Sequence, residues 1–299
     1  MSIVVIVYDM PQQAANTVVS LSPAHQQGVS AHDYEILVVE NMSPNLLGEA
    51  AAHMLAPNVR YLLRDDASQS PAAAINHGAR LARGDTIAVM VDGARMVTPG
   101  VVAMTLAAQR LGSSVVVSVP GYHLGDQLHQ DAVRSGYGAA QEQRALTQLD
   151  WRADGYRLFD MAVPSASCSG GYLQPIGESN CIAVPRPLYR RLGGFDEGFR
   201  SLGGGYVNLD FYRRAVDAGM LVLLPGEGTF HQFHGGATTG APGVNRDALL
   251  AQMRAEYEAV RGEVHAPPMQ TPVLFGRIGS SAMPFLGASV RKWTEAHSG

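Results

Sequence analysis

Short runs of apolar, mostly β-branched residues alternate with helix-like segments along the first two-thirds of the chain. Each run has the length of a strand, and continuous hydrophobicity is typical of strands that are buried on both faces of a sheet. A regular alternation of strand and helix predicts right-handed βαβ units and a mostly parallel sheet flanked by helices. The predicted strands are Ile3 to Val7, Glu35 to Val39, Val59 to Leu63, Thr86 to Val91 and Ser114 to Val119.

Two of the intervening helices have a clear start signal in the sequence. Ser70-Pro71 and Thr98-Pro99 each place an N-cap residue before a proline at the first helical position. We expect these helices to continue to about residues 83 and 111. Further helices are expected over 12–21, 139–149, 187–192, 208–218, 246–261 and 282–296, and further strands over 180–184 and 220–224.

The composition excludes several classes of protein. A net charge of −4 and a pI near 6.2 argue against nucleic-acid binding, which usually requires a basic face to neutralise phosphates. No apolar run approaches the roughly 20 residues that span a bilayer. We expect no signal peptide, because the chain enters a strand-like run without a basic segment or a small-residue cleavage site. Cys168 and Cys181 lack metal-ligand spacing, and we expect two reduced thiols rather than a disulfide. These features, with an excess of arginine over lysine, predict a cytoplasmic bacterial protein.

Three of the predicted strands end in residues that can bind a polar ligand. Tyr8-Asp9 follows the first strand, Glu40-Asn41 the second and Asp92 the fourth. Ligands of open α/β sheets bind outside the carboxyl ends of the strands. Each residue alone is an ordinary polar strand end, but their joint placement along one edge predicts a binding cleft there.

Several motifs occur in a fixed order along roughly residues 3–236. They are Ile3-Val4-Val5-Ile6-Val7-Tyr8, Leu37-Val38-Val39-Glu40-Asn41, Ala73-Ala74-Ile75-Asn76-His77-Gly78, Gly84-Asp85-Thr86-Ile87, Val91-Asp92-Gly93-Ala94-Arg95, Thr98-Pro99-Gly100, Gly193-Gly194-Phe195-Asp196-Glu197, Leu209-Asp210-Phe211 with Arg213-Arg214, and His231 with His234-Gly235-Gly236. This series resembles the family 2 glycosyltransferases, which have the GT-A fold.

The resemblance implies a GT-A domain over residues 1–240, with a nucleotide-sugar-binding half to residue 120 and an acceptor half after it. Residues 241–299 would form a helical extension that either covers the active site or pairs two subunits as a homodimer. The implied reaction moves a sugar from a UDP- or GDP-linked donor to a hydroxyl of a glycan or small-molecule acceptor, in polysaccharide or glycoconjugate biosynthesis.

The resemblance also assigns donor-binding roles. Tyr8 and Glu40 resemble the positions that contact the donor base and ribose, and Asn76 resembles a position on the nucleoside side. Arg64 is either a contact to the base or phosphate or an ordinary surface arginine.

Asp92 matches the first aspartate of the family's Asp-x-Asp element, but Ala94 stands where the second, metal-binding aspartate is expected. Without a cation, the departing diphosphate would lose several kcal/mol of transition-state stabilisation. Arg95 would supply fixed positive charge in its place. Alternatively, Asp92 would hold Mn²⁺ or Mg²⁺ together with His231 or His234.

The catalytic base is the second departure. Val207 and Asn208 stand where the family has Glu-Asp, and an asparagine cannot accept a proton at neutral pH. Asp210 is then either the base or an anchor at the start of a helix. Glu178 and Asp196 are reserve carboxylates, and without a base a retaining mechanism becomes credible.

Both departures leave a second function open, in which a catalytically silent relative binds nucleotide or glycan without turnover.

Overall fold

The computed structural model describes residues 1–65, 70–236 and 245–298. Its strands are β1 (Ser2–Val7), β2 (Glu35–Asn41), β3 (Val59–Arg64), β4 (Thr86–Met90), β5 (Arg95–Val97), β6 (Val115–Ser118), β7 (Gly121–Leu124), β8 (Ala162–Pro164), β9 (Cys181–Pro185), β10 (Met220–Leu223), β11 (Thr229–His231) and β12 (Val273–Leu274). Its α-helices are α1 (Pro11–Leu21), α2 (Glu49–Leu55), α3 (Ala72–Leu81), α4 (Val101–Ala108), α5 (His129–Ala132), α6 (Ala139–Leu149), α7 (Arg186–Arg191), α8 (Val207–Ala218), α9 (Arg246–Arg261) and α10 (Met283–His297).

The larger sheet has eight strands in the order β12-β10-β6-β9-β4-β1-β2-β3. Its pairings are parallel except at β9, which runs antiparallel to both β4 and β6. The predicted α/β class with a mostly parallel central sheet flanked by helices, and a helical C-terminal segment, is therefore confirmed. The predicted domain boundary at residue 240 lies outside the described residues. Beyond it, β12 adds the edge strand of the larger sheet.

The two faces of the larger sheet build two separate cores, because successive side chains of a strand point to opposite faces. Val5 of β1 packs in the layer with α1 and α4, whereas Val4 packs in the layer with α3, α7 and α8. β1 is buried along its whole length, which explains why the sequence shows a continuous apolar run there rather than an alternation.

A smaller sheet of four strands, in the order β5-β11-β7-β8, stands beside the larger one. It carries its own apolar core around Tyr122, Phe230 and Trp151. The sequence did not predict these strands, which contain only three or four residues each. A period of two residues cannot be recognised over so short a run.

The two proline-marked helices begin later than predicted. Pro71 is the N-cap of α3, and Gly100 is the N-cap of α4. The Thr98 hydroxyl donates to the buried Glu227 carboxylate instead of capping the helix. Both cysteines are buried free thiols, as expected. None of the described helices combines the length and apolar character needed to cross a bilayer.

Candidate active site

A cleft of about 700 Å³ opens at the carboxyl ends of β1, β2 and β4. The strand ends contribute Tyr8, Asp9, Asn41 and Asp92 to its lining. The other side of the cleft is formed by the smaller sheet, by loops and by the helices α5, α8 and α9. The lining residues on this side include Arg95, His123, Gln130, Ser165, Ser167, Glu178, Asn180, Asn208, His231, His234, Arg246 and Met253. The cleft therefore lies at the edge where the sequence predicts a ligand.

Asp92 and two histidines converge in this cleft. The Oδ2 atom of Asp92 lies 2.9 Å from Nε2 of His231 and 3.3 Å from Nε2 of His234. The two Nε2 atoms are 3.1 Å apart. One carboxylate oxygen and two imidazole nitrogens facing a common point form a donor set that suits a divalent cation such as Mn²⁺, when phosphate oxygens complete the shell.

The charges of this trio are set by burial and by one another. Burial opposes ionisation of Asp92, but the charge of His234 and hydrogen bonds from both histidines hold the pKa of Asp92 well below its ordinary value. Burial lowers the pKa of His231 to about 3, so this ring is neutral at physiological pH. Burial also opposes the charge on His234, but Asp92 outweighs it and raises the pKa of His234. An anionic carboxylate and a neutral His231 ring are the forms that bind a metal.

A second histidine trio, His123 with His129 and His231, lies beside the first. The Nδ1 atom of His123 accepts a hydrogen bond from the backbone N–H of His129 at 3.1 Å. Its Nε2 atom therefore carries the proton in the neutral ring and offers no lone pair to a cation. Burial lowers the pKa of His123 to about 2, which keeps the ring neutral. The Asp92 trio is thus the better candidate for a cation.

The turn after β4 explains how Ala94 fits a site that lacks the second aspartate. The backbone N–H of Ala94 donates to Oδ1 of Asp92 at 2.9 Å, which leaves Oδ2 for the histidines. The Ala94 oxygen accepts the backbone N–H of Gln232 at 2.8 Å and ties the turn to the histidine strand. The Ala94 methyl group is fully buried in the apolar core, so this position has no access to the cleft.

Arg95 lines the cleft from the start of β5 and is only 7% exposed. The buried Nε and Nη1 atoms of Arg95 have no hydrogen-bond partner among the described residues. Burial lowers the pKa of Arg95, while the charges of Asp92 and Glu178 act in the opposite direction. A buried guanidinium with unpaired donors costs free energy unless an anion completes it. The site is therefore suited to an anionic ligand.

Glu178 and Asn208 form the polar side of the cleft nearest to α8. The Asn208 amide donates to Oε1 of Glu178 at 2.6 Å, and also contacts the Ser179 oxygen and Asn180 Oδ1 at 3.2 and 3.3 Å. Asn208 thus orients a carboxylate instead of acting as a base itself. Glu178, a reserve carboxylate in the sequence prediction, is the one that the structure places in the cleft.

Glu40 and Asn41 differ in where they lie. Glu40 is fully buried, and its carboxylate accepts from the N–H groups of Leu47 and Gly48 and from the Tyr61 hydroxyl. It organises the loop after β2 and lies outside the cleft lining. Asn41, which the sequence marked as a strand-end residue without assigning it a donor-binding role, lies in the cleft and is 5% exposed.

Two other residues expected near the nucleoside lie outside the cleft lining. Asn76 uses both ends of its amide on the loop after α7: it donates to the Phe195 oxygen and Glu197, and it accepts from Tyr189 and the Phe195 N–H. Arg64, at the end of β3, donates to the Ala73 oxygen at 2.9 Å. Through these contacts, Asn76 and Arg64 stabilise the fold around α3.

Asp210 is 1% exposed and lies in the first turn of α8, outside the cleft lining. It accepts from Arg214 at 2.8 Å and from two nitrogens of Arg261 at 2.6 and 2.8 Å. Arg261 also pairs with Asp196 at 2.8 Å. With Asn76, both arginines line a separate pocket of about 620 Å³. These contacts favour the anchoring role for Asp210 over the role of base.

The sequence pattern described as glycosyl transferase family 2 matches residues 2–163, which is more than half of the chain. The chain belongs to this family. The match includes β1 to β4 and the turn that carries Asp92 and Arg95. The predicted family membership is therefore confirmed.

Solved structures of S. aureus TarS share the fold. The 1–349 fragment has a TM-score of 0.51 at 12% identity, with 99% of this chain and 72% of that chain covered. The same fragment in complex with UDP has a TM-score of 0.53 at 11% identity, with 98% of this chain and 71% of that chain covered. The complex of this fragment with UDP-GlcNAc has a TM-score of 0.55 at 11% identity, with 98% of this chain and 72% of that chain covered. Among curated proteins, no sequence matches the chain.

In this family 2 cleft, His123, Gln130, Ser165 and Ser167 were not identified from the sequence, and Asn41 was identified only as a strand-end residue without a donor-binding role. Asn41 was in the sequence motif, and a strict alternation of faces along β2 would have found it. Gln130 lies in the four-residue helix α5 and Ser167 in a three-residue 3-10 helix, and elements this short carry no periodic signal in the sequence. Only the fold brings them to the cleft.

Proposed function

We propose that the chain transfers a sugar from a UDP-linked donor to a hydroxyl group of a glycan or small-molecule acceptor. The observation that supports this most is the convergence of Asp92, His231, His234 and the unpaired guanidinium of Arg95 at the carboxyl edge of the sheet. A diphosphate complements both features, since it ligates a divalent cation and pairs with a buried arginine. The fold shared with a TarS fragment that binds UDP and UDP-GlcNAc supports the choice of UDP over GDP.

Tyr8 and Asn41 are proposed as the nucleoside contacts. Tyr8 is 51% exposed at the rim, where a ring can stack on a pyrimidine, and the Asn41 amide can both donate and accept hydrogen bonds. They replace Glu40 and Asn76 in this role, because the polar atoms of those two side chains are engaged with the surrounding loops.

Asp92, His231 and His234 would hold the divalent cation. When bound, such an ion neutralises charge that develops on the leaving diphosphate. Arg95 contributes to the same end from a fixed position, and its burial strengthens the interaction because little water screens it. Ala94 takes part only through its backbone.

Glu178 is proposed as the general base of an inverting displacement. Its carboxylate accepts the proton of the acceptor hydroxyl while the acceptor oxygen attacks the anomeric carbon of the donor. The bond from that carbon to the diphosphate oxygen breaks, and its electron pair leaves with the nucleoside diphosphate. Asn208 orients Glu178 through the 2.6 Å hydrogen bond. A carboxylate in the cleft that can act as the base supports an inverting over a retaining outcome.

The test is turnover of UDP-GlcNAc and other UDP-sugars with Mn²⁺, in wild type, Glu178→Gln and a matched control, Glu49→Gln. Glu49 is an exposed carboxylate on α2, outside the cleft. Loss of a general base lowers the rate by about 10²–10⁴-fold, and we expect this loss in Glu178→Gln with unchanged UDP affinity. Turnover at the wild-type rate in Glu178→Gln would refute the base. UDP binding without hydrolysis or transfer from any donor would instead establish the catalytically silent relative.

A further inference from the structure

The segment between the two cleft histidines is held from outside the cleft. Phe233 is one of the two residues between His231 and His234, and its backbone N–H donates to Oε1 of Glu142 at 2.8 Å. Glu142 lies on α6 and is 3% exposed. Its other oxygen accepts from the Tyr137 hydroxyl at 3.0 Å, so the carboxylate is fixed at both ends.

The Phe233 ring is held by the same part of the chain. It packs edge-on against Tyr137 at 6.1 Å and against His129 at 5.7 Å between ring centroids. Both the backbone and the ring of Phe233 are therefore fixed by residues 129–142, which are separate in sequence from β11.

Gln232 is tied to a different element. It is 1% exposed, its side-chain oxygen accepts from Asn16 at 2.9 Å, and its side-chain nitrogen donates to the Gln13 oxygen at 3.0 Å. Gln13 in turn donates to the Phe233 oxygen at 2.9 Å. The two residues between the histidines are thus bound by α1 and α6, which leaves the histidine rings directed at Asp92.

We propose that Glu142 is a positioning residue that fixes His231 and His234 for the cation and the donor diphosphate. A carboxylate that accepts a backbone N–H in a buried setting forms a strong, charge-assisted hydrogen bond. Loss of that acceptor leaves the Phe233 N–H unpaired and frees the strand end between the two rings. This proposal rests on the proposed function, because it concerns the same cation site.

The test compares Glu142→Ala, Glu142→Gln and the control Gln141→Ala, which changes an exposed neighbour on α6. Two quantities are measured: amide hydrogen exchange at Phe233 in metal-free protein, and Mn²⁺ affinity in the presence of UDP. Residues that orient metal ligands typically contribute about 10–100-fold to metal affinity. We expect faster exchange and a loss of that size in Glu142→Ala. Glu142→Gln retains one acceptor oxygen but loses the charge, so its changes should be in the same direction and smaller than those of Glu142→Ala, and the control should stay near wild type.

Faster exchange at Phe233 with unchanged Mn²⁺ affinity would overturn the proposal, and so would unchanged exchange. If Glu142→Ala does not fold, Tyr137→Phe is used instead, since it removes the hydroxyl that orients Glu142. The proposal then requires a smaller increase in Phe233 exchange and a smaller loss of Mn²⁺ affinity. If wild type binds UDP but no Mn²⁺, the cation part of the proposed function fails. The positioning role is then decided by Phe233 exchange and UDP affinity, both of which must change in Glu142→Ala.

Discussion

Replacement of Asp210 by asparagine separates an anchoring carboxylate from a catalytic base. The variant keeps the shape of the side chain but removes the charge that binds Arg214 and Arg261. Breaking a buried ion pair by removing one partner costs about 3–5 kcal/mol. The two arginine side chains are 26% and 25% exposed, so water partly solvates them and the lower end, about 3 kcal/mol, applies.

A loss of that size should be visible in thermal unfolding. At an unfolding entropy of about 2.1 cal/mol/K per residue, each kcal/mol shifts the Tm of a chain of 299 residues by about 1.6 °C, so we expect a decrease of about 5 °C in Asp210→Asn. At a temperature where Asp210→Asn is folded, it should retain most of the wild-type kcat. Calorimetric Tm and kcat, measured at a temperature where both proteins are folded, provide the two readouts.

Asp217→Asn is the matched control on the same helix. Asp217 is 60% exposed and lies 3.7 Å from Arg213, so its pair should contribute only about 0.5 kcal/mol. If Asp210→Asn instead melts at the wild-type temperature and loses about 10²-fold or more of its rate, the anchoring role is wrong and Asp210 is the base.

Three further variants test the donor side of the cleft. Ala94→Asp places a carboxylate in the apolar core, so we expect its Tm to be lower than wild type by several degrees, with no gain in Mn²⁺ affinity. Tighter Mn²⁺ binding at an unchanged Tm would contradict this expectation. Arg95→Ala should lower kcat by about 10²-fold and change UDP affinity much less. If kcat and UDP affinity fall by the same factor, Arg95 stabilises the bound nucleotide and not the transition state. Gly93→Ala brings a methyl group to 2.6 Å from the Ile6 oxygen, so the turn must shift; a Tm and UDP affinity equal to wild type would refute this tight approach.

The fold was largely predictable from the sequence because its central strands are buried on both faces. Continuous apolar runs such as Ile3 to Val7 mark parallel strands without help from tertiary structure. Helices with strong amphipathic patterns, such as α6 and α9, were predicted with the observed bounds. β5 and β11 were missed because three residues carry no recognisable period.

The candidate site was only partly predictable. The sequence singled out Asp92, Arg95, His231 and His234 together, and the structure brings all four to one cleft. At the end of β2, a one-residue difference in position reverses the face to which a side chain points, and it separates the structural Glu40 from the cleft residue Asn41. Whether these residues bind the donor remains a prediction.

The proposed function requires the cleft at Asp92 to bind the nucleotide of the donor. This binding can be measured by calorimetric titration of UDP in the presence of Mn²⁺ into wild type, Asp92→Ala and the control Asp217→Asn. We expect UDP to bind to wild type and to the control and expect no measurable binding in Asp92→Ala, because the trio around Oδ2 of Asp92 would lose its carboxylate. Equal UDP affinity in all three proteins would show that the nucleotide does not bind at Asp92.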